Sequence, residues 1–89
     1  MGYWQEWDCA CLVEKSIYSE EYRRLCAILR ELRQAGGLTQ VQVAARLDVP
    51  QSFVSKYESG ERRLDVVELG YVAQALGTSV DVILKRLAD

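Results

Sequence analysis

The stretch from Gln40 to Tyr57, QVQVAARLDVPQSFVSKY, constrains this chain more than any other part of it. Val43, Leu47, Val49, Val54 and Tyr57 are spaced so that two short helices share one core only if the chain turns sharply between them. Ala44 falls where the second helix must cross the first, and a small side chain there lets the backbones approach. Asp48 occupies the turn itself, where a left-handed backbone is expected and Asp is tolerated better than most residues. On the outside of the second helix stand Gln51, Ser52, Ser55 and Lys56, a row of hydrogen-bonding side chains.

The flanking sequence supplies three more helices. Ser19 offers an N-cap, Glu20 and Glu21 suit the positive end of a helix dipole, and Tyr22, Leu25, Ile28, Leu29 and Leu32 recur at helical spacing up to Gly36-Gly37. Thr39 caps a short helix running to about Leu47. The next begins near Pro50, whose missing N–H costs nothing in a first turn, and stops at Ser59-Gly60. Asp65-x-x-Glu68 is a capping-box variant opening a fourth helix with the stripe Leu69, Val72, Ala73 and Leu76, ended by Gly77. Gly70 lies inside it, at a cost of about 1 kcal/mol relative to Ala. Ser79 caps a fifth, with Val80, Ile83, Leu84 and Leu87 on one face and Val82 turned outward. No segment reads as a strand. The expectation is a single all-α, five-helix domain over residues 19–89, with residues 1–18 as an extension carrying Tyr3, Trp4 and Trp7.

Charge is unevenly divided. The whole chain carries −2, yet residues 1–22 hold −4, residues 23–63 hold +4 and residues 64–89 hold −2. Basic charge thus gathers around the two-helix motif, and a local basic face governs encounters with a polyanion more than global charge does. The row Gln51, Ser52, Lys56 consists of side chains able to read base edges.

Other chemistries find little support. There is no His, no Gly-rich phosphate loop and no recognisable carboxylate pair, and Cys26 has no base partner, so an enzyme is not expected. Cys9, Cys11 and Cys26 are an odd set without a disulfide spacing; three free thiols are the plain reading, while Cys9-x-Cys11 could hold half a metal site or sense oxidation. No cofactor and no metal are expected. No run approaches the roughly 18 apolar residues of a membrane span. No basic stretch followed by an apolar run marks a signal peptide, so a cytoplasmic location is expected.

At Leu38-Thr39-Gln40, at Gln51-Ser52-x-Val54-Ser55-Lys56-x-Glu58-x-Gly60 and at Ala73-x-Ala75-Leu76-Gly77, the chain resembles the Cro and phage-repressor type of helix-turn-helix protein, the xenobiotic-response-element family. The resemblance covers about residues 22–87 and implies a lambda-repressor-like DNA-binding domain. It further implies that Gln51, Ser52 and Lys56 face bases of double-stranded DNA. Gln40, Ser59, Arg62 and Arg63 would then hold the DNA backbone, and Phe53 would touch a thymine methyl. It also brings Arg33 and Glu58 together as a partly buried ion pair. Three departures stand out: Asp48 replaces the family's usual Gly, Pro50 its usual Ser or Thr cap, and Gly70 interrupts the fourth helix.

The function implied is a transcriptional regulator, a repressor acting as a homodimer on a two-fold operator, with Val82 and Trp4 or Trp7 as candidates for the dimer contact. An antitoxin that represses its own operon and holds a toxin through residues 1–18 is a close variant. A protein adaptor that keeps the fold without DNA is the alternative from another class.

Overall fold

The computed structural model describes residues 20–89. The expected Ser19 cap, the extension of residues 1–18 and the thiols Cys9 and Cys11 lie outside the described residues. Five helices follow one another: α1 over residues 20–35, α2 Gln40–Leu47, α3 Gln51–Ser59, α4 Val66–Ala75 and α5 Val80–Ala88.

Local chemistry sets most of the boundaries. Thr39 begins α2 with a complete capping box: its hydroxyl accepts from Gln42 N–H, and Gln42 Oε1 accepts from Thr39 N–H. Asp65 and Glu68 do the same for α4, and Ser79 Oγ caps α5 through Val82 N–H. Pro50 stands just before α3 rather than inside its first turn, with an extended backbone and no side-chain cap. A proline there stops α2 from running on, because the residue before it is steered away from helical angles.

The turn between α2 and α3 is closed by Asp48 in the left-handed region, φ 58° and ψ 46°, with its N–H bonded to the carbonyls of Ala44 and Ala45. Short Asp tolerates these angles, which most side chains avoid. Gly60 ends α3 at φ 87°. A Cβ on Gly70 would meet nothing within 4 Å, so that glycine makes no close approach possible and is merely accommodated.

The core is one apolar cluster drawn from every helix. Ile28 and Leu29 of α1, Val43 and Ala44 of α2, Val54 and Tyr57 of α3, Leu69, Val72, Ala73 and Ala75 of α4, and Ile83 of α5 are buried together. Leu25, Leu32, Leu38, Leu47, Val49, Leu64, Leu76, Val80 and Leu87 pack around it. The face expected on α5 needs one correction: Leu84 is 49% exposed. Helix α5 is docked along Val80, Ile83 and Leu87, and a nine-residue helix at the edge of the domain has room for only that narrow stripe. Val82 points outward as expected, so α5 carries two apolar side chains toward solvent. Among the described residues no single helix is long and apolar enough to cross a membrane.

Candidate nucleic-acid interface

Helix α3 divides cleanly. Val54, Tyr57 and Glu58 face inward, whereas Gln51, Ser52, Ser55, Lys56 and Ser59 are exposed on the opposite side. Gln51 is the first helical residue and Ser52 the next, with Lys56 one turn beyond Ser52. The three expected base readers therefore share one outward ridge held by a rigid core. An α-helix of this kind fits the major groove of B-DNA, and each of these side chains can donate or accept at a base edge.

Behind the ridge lies a polar chain. Glu58, with only 1% of its side chain exposed, accepts from Arg33 Nε at 2.7 Å and from Arg33 Nη2 at 3.2 Å. Arg33 also donates to the Leu38 carbonyl at 2.9 Å, which ties the end of α1 to the start of α2. Arg30 approaches the same carboxylate at 3.7 Å and donates to the Glu58 carbonyl at 3.4 Å. Gln40 Nε2 donates to Glu58 Oε1 at 3.0 Å, and Gln40 Oε1 accepts from Gln51 Nε2 at 3.2 Å. Arg33, Glu58, Gln40 and Gln51 thus form one connected series from α1 to the exposed ridge of α3. The sequence brings Arg33 and Glu58 to notice; nothing in it singles out the two glutamine contacts, which depend on how α2 sits against α3.

The loop after α3 is also built internally. The hydroxyl of Tyr22 donates to the Arg62 carbonyl at 2.9 Å and accepts from Leu64 N–H at 3.0 Å, so α1 pins this loop. Arg63 lies over the Tyr22 ring, 4.9 Å from its centroid. Arg62 pairs with Glu68 and lies 4.6 Å over the Phe53 ring, and that ring meets Tyr57 edge-on at 5.9 Å. Phe53 is half-buried: it packs against the core and shares a shallow hollow with Leu47, Val49, Tyr71 and Val72, with Arg62 over its ring. Ser59 Oγ donates within its own turn, to the Lys56 carbonyl at 3.0 Å. Tyr22 is the residue that sequence reasoning missed as a loop anchor; its only signal was a place on the apolar stripe of α1.

Burial pushes the pKa of three groups upward and so disfavours their ionisation. Desolvation, reinforced by the Glu58 charge, pushes the Tyr57 hydroxyl far above its ordinary value. Among the described residues that hydroxyl finds no hydrogen-bond partner. Desolvation likewise raises Tyr22, against the opposing bond from Leu64, and keeps the buried Cys26 thiol protonated at neutral pH. Among the described residues no group of His, Cys, Asp and Glu side chains is arranged to hold a metal ion.

Comparison with known proteins agrees with this geometry. Residues 29–83 match the family HTH_3, described as Helix-turn-helix. The chain is similar to a Mycobacterium tuberculosis protein named "Putative antitoxin HigA2", 47% identical over 62 residues, 68% of this chain and 60% of that protein. It is also similar to the uncharacterized HTH-type transcriptional regulator y4dJ of Sinorhizobium fredii, 46% identical over 48 residues, 54% of this chain and 62% of that one. The match thus spans about three fifths of the length of both curated relatives. Among solved structures, an XRE-family like protein from Pseudomonas syringae pv. tomato superposes with a TM-score of 0.81 at 45% identity, covering 85% of this chain and 93% of that one.

Proposed function

The chain belongs to the helix-turn-helix family HTH_3, and from that premise we propose that it is a sequence-specific DNA-binding transcriptional regulator. The observation that carries the reading is the exposed ridge of Gln51, Ser52 and Lys56 on a helix whose other side is locked into the core. Gln51 reads adenine, Lys56 reads guanine O6 and N7, and Ser52 bonds the base between them. Gln40 holds a phosphate at the start of α2, while Ser59, Arg62 and Arg63 hold the backbone where the chain leaves α3. Phe53, half-buried beside this ridge, meets a thymine methyl with the surface it leaves exposed.

The regulator acts as a homodimeric repressor in the cytoplasm. Val82 and Leu84, both outward on α5, support an isologous contact there. Such a dimer sets two copies of α3 about one DNA turn, roughly 34 Å, apart. The 47% identity with the M. tuberculosis protein favours one specific variant, an antitoxin; residues 1–18, aromatic and acidic, are then the segment offered to its toxin.

Selection of bound sequences from random DNA, followed by titration of variants at two salt concentrations, tests the reading. Gln51→Ala and Lys56→Ala are expected to weaken the selected site by about 1–3 kcal/mol while sparing non-specific binding. Arg62→Ala is expected to weaken every sequence and lower the salt slope by about one. If no sequence is enriched, a protein adaptor replaces the regulator. Sedimentation that shows only monomer, with and without DNA, removes the dimer.

A further inference from the structure

A hollow lies where the start of α1, the end of α5 and the loop after α3 meet. Its volume is about 180 Å³ and its floor is apolar, made by Tyr22 and Leu25 of α1 with Leu87 of α5. Leu25 and Leu87 pack on the core with one side and stay only partly buried. Sites for small molecules measure about 300–1,000 Å³, so this one is sized for a single large side chain. A second hollow of about 250 Å³ adjoins it and is polar, with Arg23, Ser59 and Gly60 in its lining. The two share Tyr22 and Arg63. Arg63 lies over the Tyr22 ring, so this stacked pair is the wall between an apolar hollow and a cationic one. Among the described residues neither Arg23 nor Arg63 pairs with a carboxylate.

What fits both hollows at once is a large aromatic side chain with carboxylates beside it. Glu6-Trp7-Asp8 is such a sequence. Residues 1–18 hold both tryptophans of the chain, and Glu6, Asp8 and Glu14 against Lys15 give them a net charge of −2. Trp4 stands between Tyr3 and Gln5, with no charge on either side. The apolar hollow opens beside Glu21, close to where residues 1–18 join the domain. Fourteen positions lead from Trp7 to Glu21, and at about 3.3–3.6 Å each they are ample for the return path. A tether of that length holds its end at an effective concentration on the order of millimolar, which a separate chain at micromolar concentration does not reach. We propose that Trp7 of the same chain seats in the apolar hollow, with Glu6 and Asp8 turned to Arg63 and Arg23. Glu21, also on the rim, opposes those carboxylates, and the two arginines outweigh it. Arg63 and Ser59 are read above as holding the DNA backbone, so the seated segment and a phosphate compete for one place. That consequence rests on the DNA reading; the seat itself does not.

Tryptophan fluorescence of the full chain tests the seat, because both tryptophans lie in residues 1–18. Trp4→Phe leaves Trp7 as the only reporter. Its emission is expected at shorter wavelength than in urea, with slower quenching by acrylamide. Trp7→Phe leaves Trp4, which should emit close to its value in urea. Leu87→Glu puts a charge on the floor of the hollow, and Arg63→Glu turns an attractive rim against Glu6 and Asp8. Added to Trp4→Phe, each should return Trp7 emission toward the urea value while circular dichroism shows the helices intact. Arg63 is exposed, so its variant decides the matter where Leu87→Glu fails to fold. DNA binding gives the second readout. Trp7→Ala changes no charge and is expected to bind every sequence about three- to tenfold more tightly, since a competent state populated at about 10–30% lowers apparent affinity by that fraction. Trp4→Ala should bind as the parent does.

Trp7 emission that already matches the urea value in the folded protein overturns the proposal. So does a shift that survives in either folded variant of the hollow, because Trp7 is then buried somewhere else. A shift that develops only as protein concentration rises puts the Trp7 of a second copy in the hollow and overturns the same-chain seat. A shift present with unchanged DNA affinity in Trp7→Ala overturns the competition with phosphate and leaves the seat standing. If no variant binds DNA at all, the regulator reading falls, and the fluorescence result still decides the seat.

Discussion

Two arginine–glutamate pairs flank α3, and they have little in common beyond their chemistry. Arg33 and Glu58 meet through two hydrogen bonds, with 13% and 1% of their side chains exposed. Arg62 and Glu68 meet at the surface, with 43% and 29% exposed. The first carboxylate is ringed by groups that cannot leave: Gln40 donates to it, and Arg33 is tethered to the Leu38 carbonyl. The second cation lies on Phe53 and keeps 43% of its side chain exposed. Attraction between charges at a few ångströms strengthens several-fold as the surroundings become less polarisable. The inner pair is consequently part of the scaffold, whereas the outer one is an association that a phosphate can replace.

Breaking the inner pair is the largest effect the comparison anticipates. Glu58→Gln leaves Arg33 buried against a neutral group, and removing one side of such a pair costs about 3–5 kcal/mol. Urea unfolding of this variant beside Glu68→Gln measures the contrast directly. A midpoint for Glu58→Gln equal to that of the parent would show that Glu58 is solvated in solution. Replacing both partners, Arg33→Met with Glu58→Leu, is expected to recover most of the loss, because no charge is then left uncompensated.

The same contrast explains how much could be read from the sequence. The helices from α2 onward were legible because most of their ends rest on local chemistry: the Thr39 cap, Asp65 with Glu68, the Ser79 cap and the left-handed Asp48, whereas Pro50 stands before α3 and not in its first turn. The ridge on α3 was legible because inward Val54 and Tyr57 leave only one side for Gln51, Ser52 and Lys56. Leu84 was misplaced because periodicity marks a face but not how wide a strip of it the domain can cover. Arg62 and Arg63 were legible as cations, but not as cations already engaged with Glu68, Phe53 and Tyr22. Those partners lie across α1, α3 and α4, and spacing along one helix carries no information about them.

A second way to sharpen the comparison lies one residue from Glu58. Tyr57 is as deeply buried, yet among the described residues its hydroxyl has no partner, so the same wall of the core holds one satisfied polar group and one orphan. Burying an unpaired hydroxyl costs about 1–3 kcal/mol, and Tyr57→Phe is expected to regain about 1 kcal/mol of it. Alkaline pH separates this cause from simple packing. The Tyr57 pKa is raised in the folded state, so its contribution is intact below about pH 10 and is lost as pH climbs toward the folded value. Tyr57→Phe should therefore lose less stability on alkaline titration than the parent, with Tyr22 and Cys26 supplying what loss remains. Equal alkaline slopes in the two proteins would show that the Tyr57 hydroxyl reaches water.

The smallest effect on stability is expected from Glu68→Gln, which is also the most informative about DNA. Glutamine keeps an oxygen for the Asp65 N–H, so the capping box that starts α4 survives. Only the charge opposite Arg62 is removed. Exposed ion pairs contribute about 0–1 kcal/mol, so unfolding should shift by less than 1 kcal/mol. Binding should change in the opposite sense to stability. In the parent, a phosphate that takes Arg62 must first displace Glu68; in the variant it need not, and affinity for every sequence should rise by up to about fivefold at low salt, the equivalent of that same pair. The gain should fade as salt is added, because each freed cation that meets a phosphate adds about one to the counterion-release slope. Base preferences should not move, since the Glu68 side chain bonds Arg62 and Asp65 and none of Gln51, Ser52 and Lys56. If Glu68→Gln leaves affinity and salt slope unchanged while Arg62→Ala lowers both, the outer carboxylate does not restrain its arginine. The two pairs then differ in burial alone and not in what they allow α3 to do.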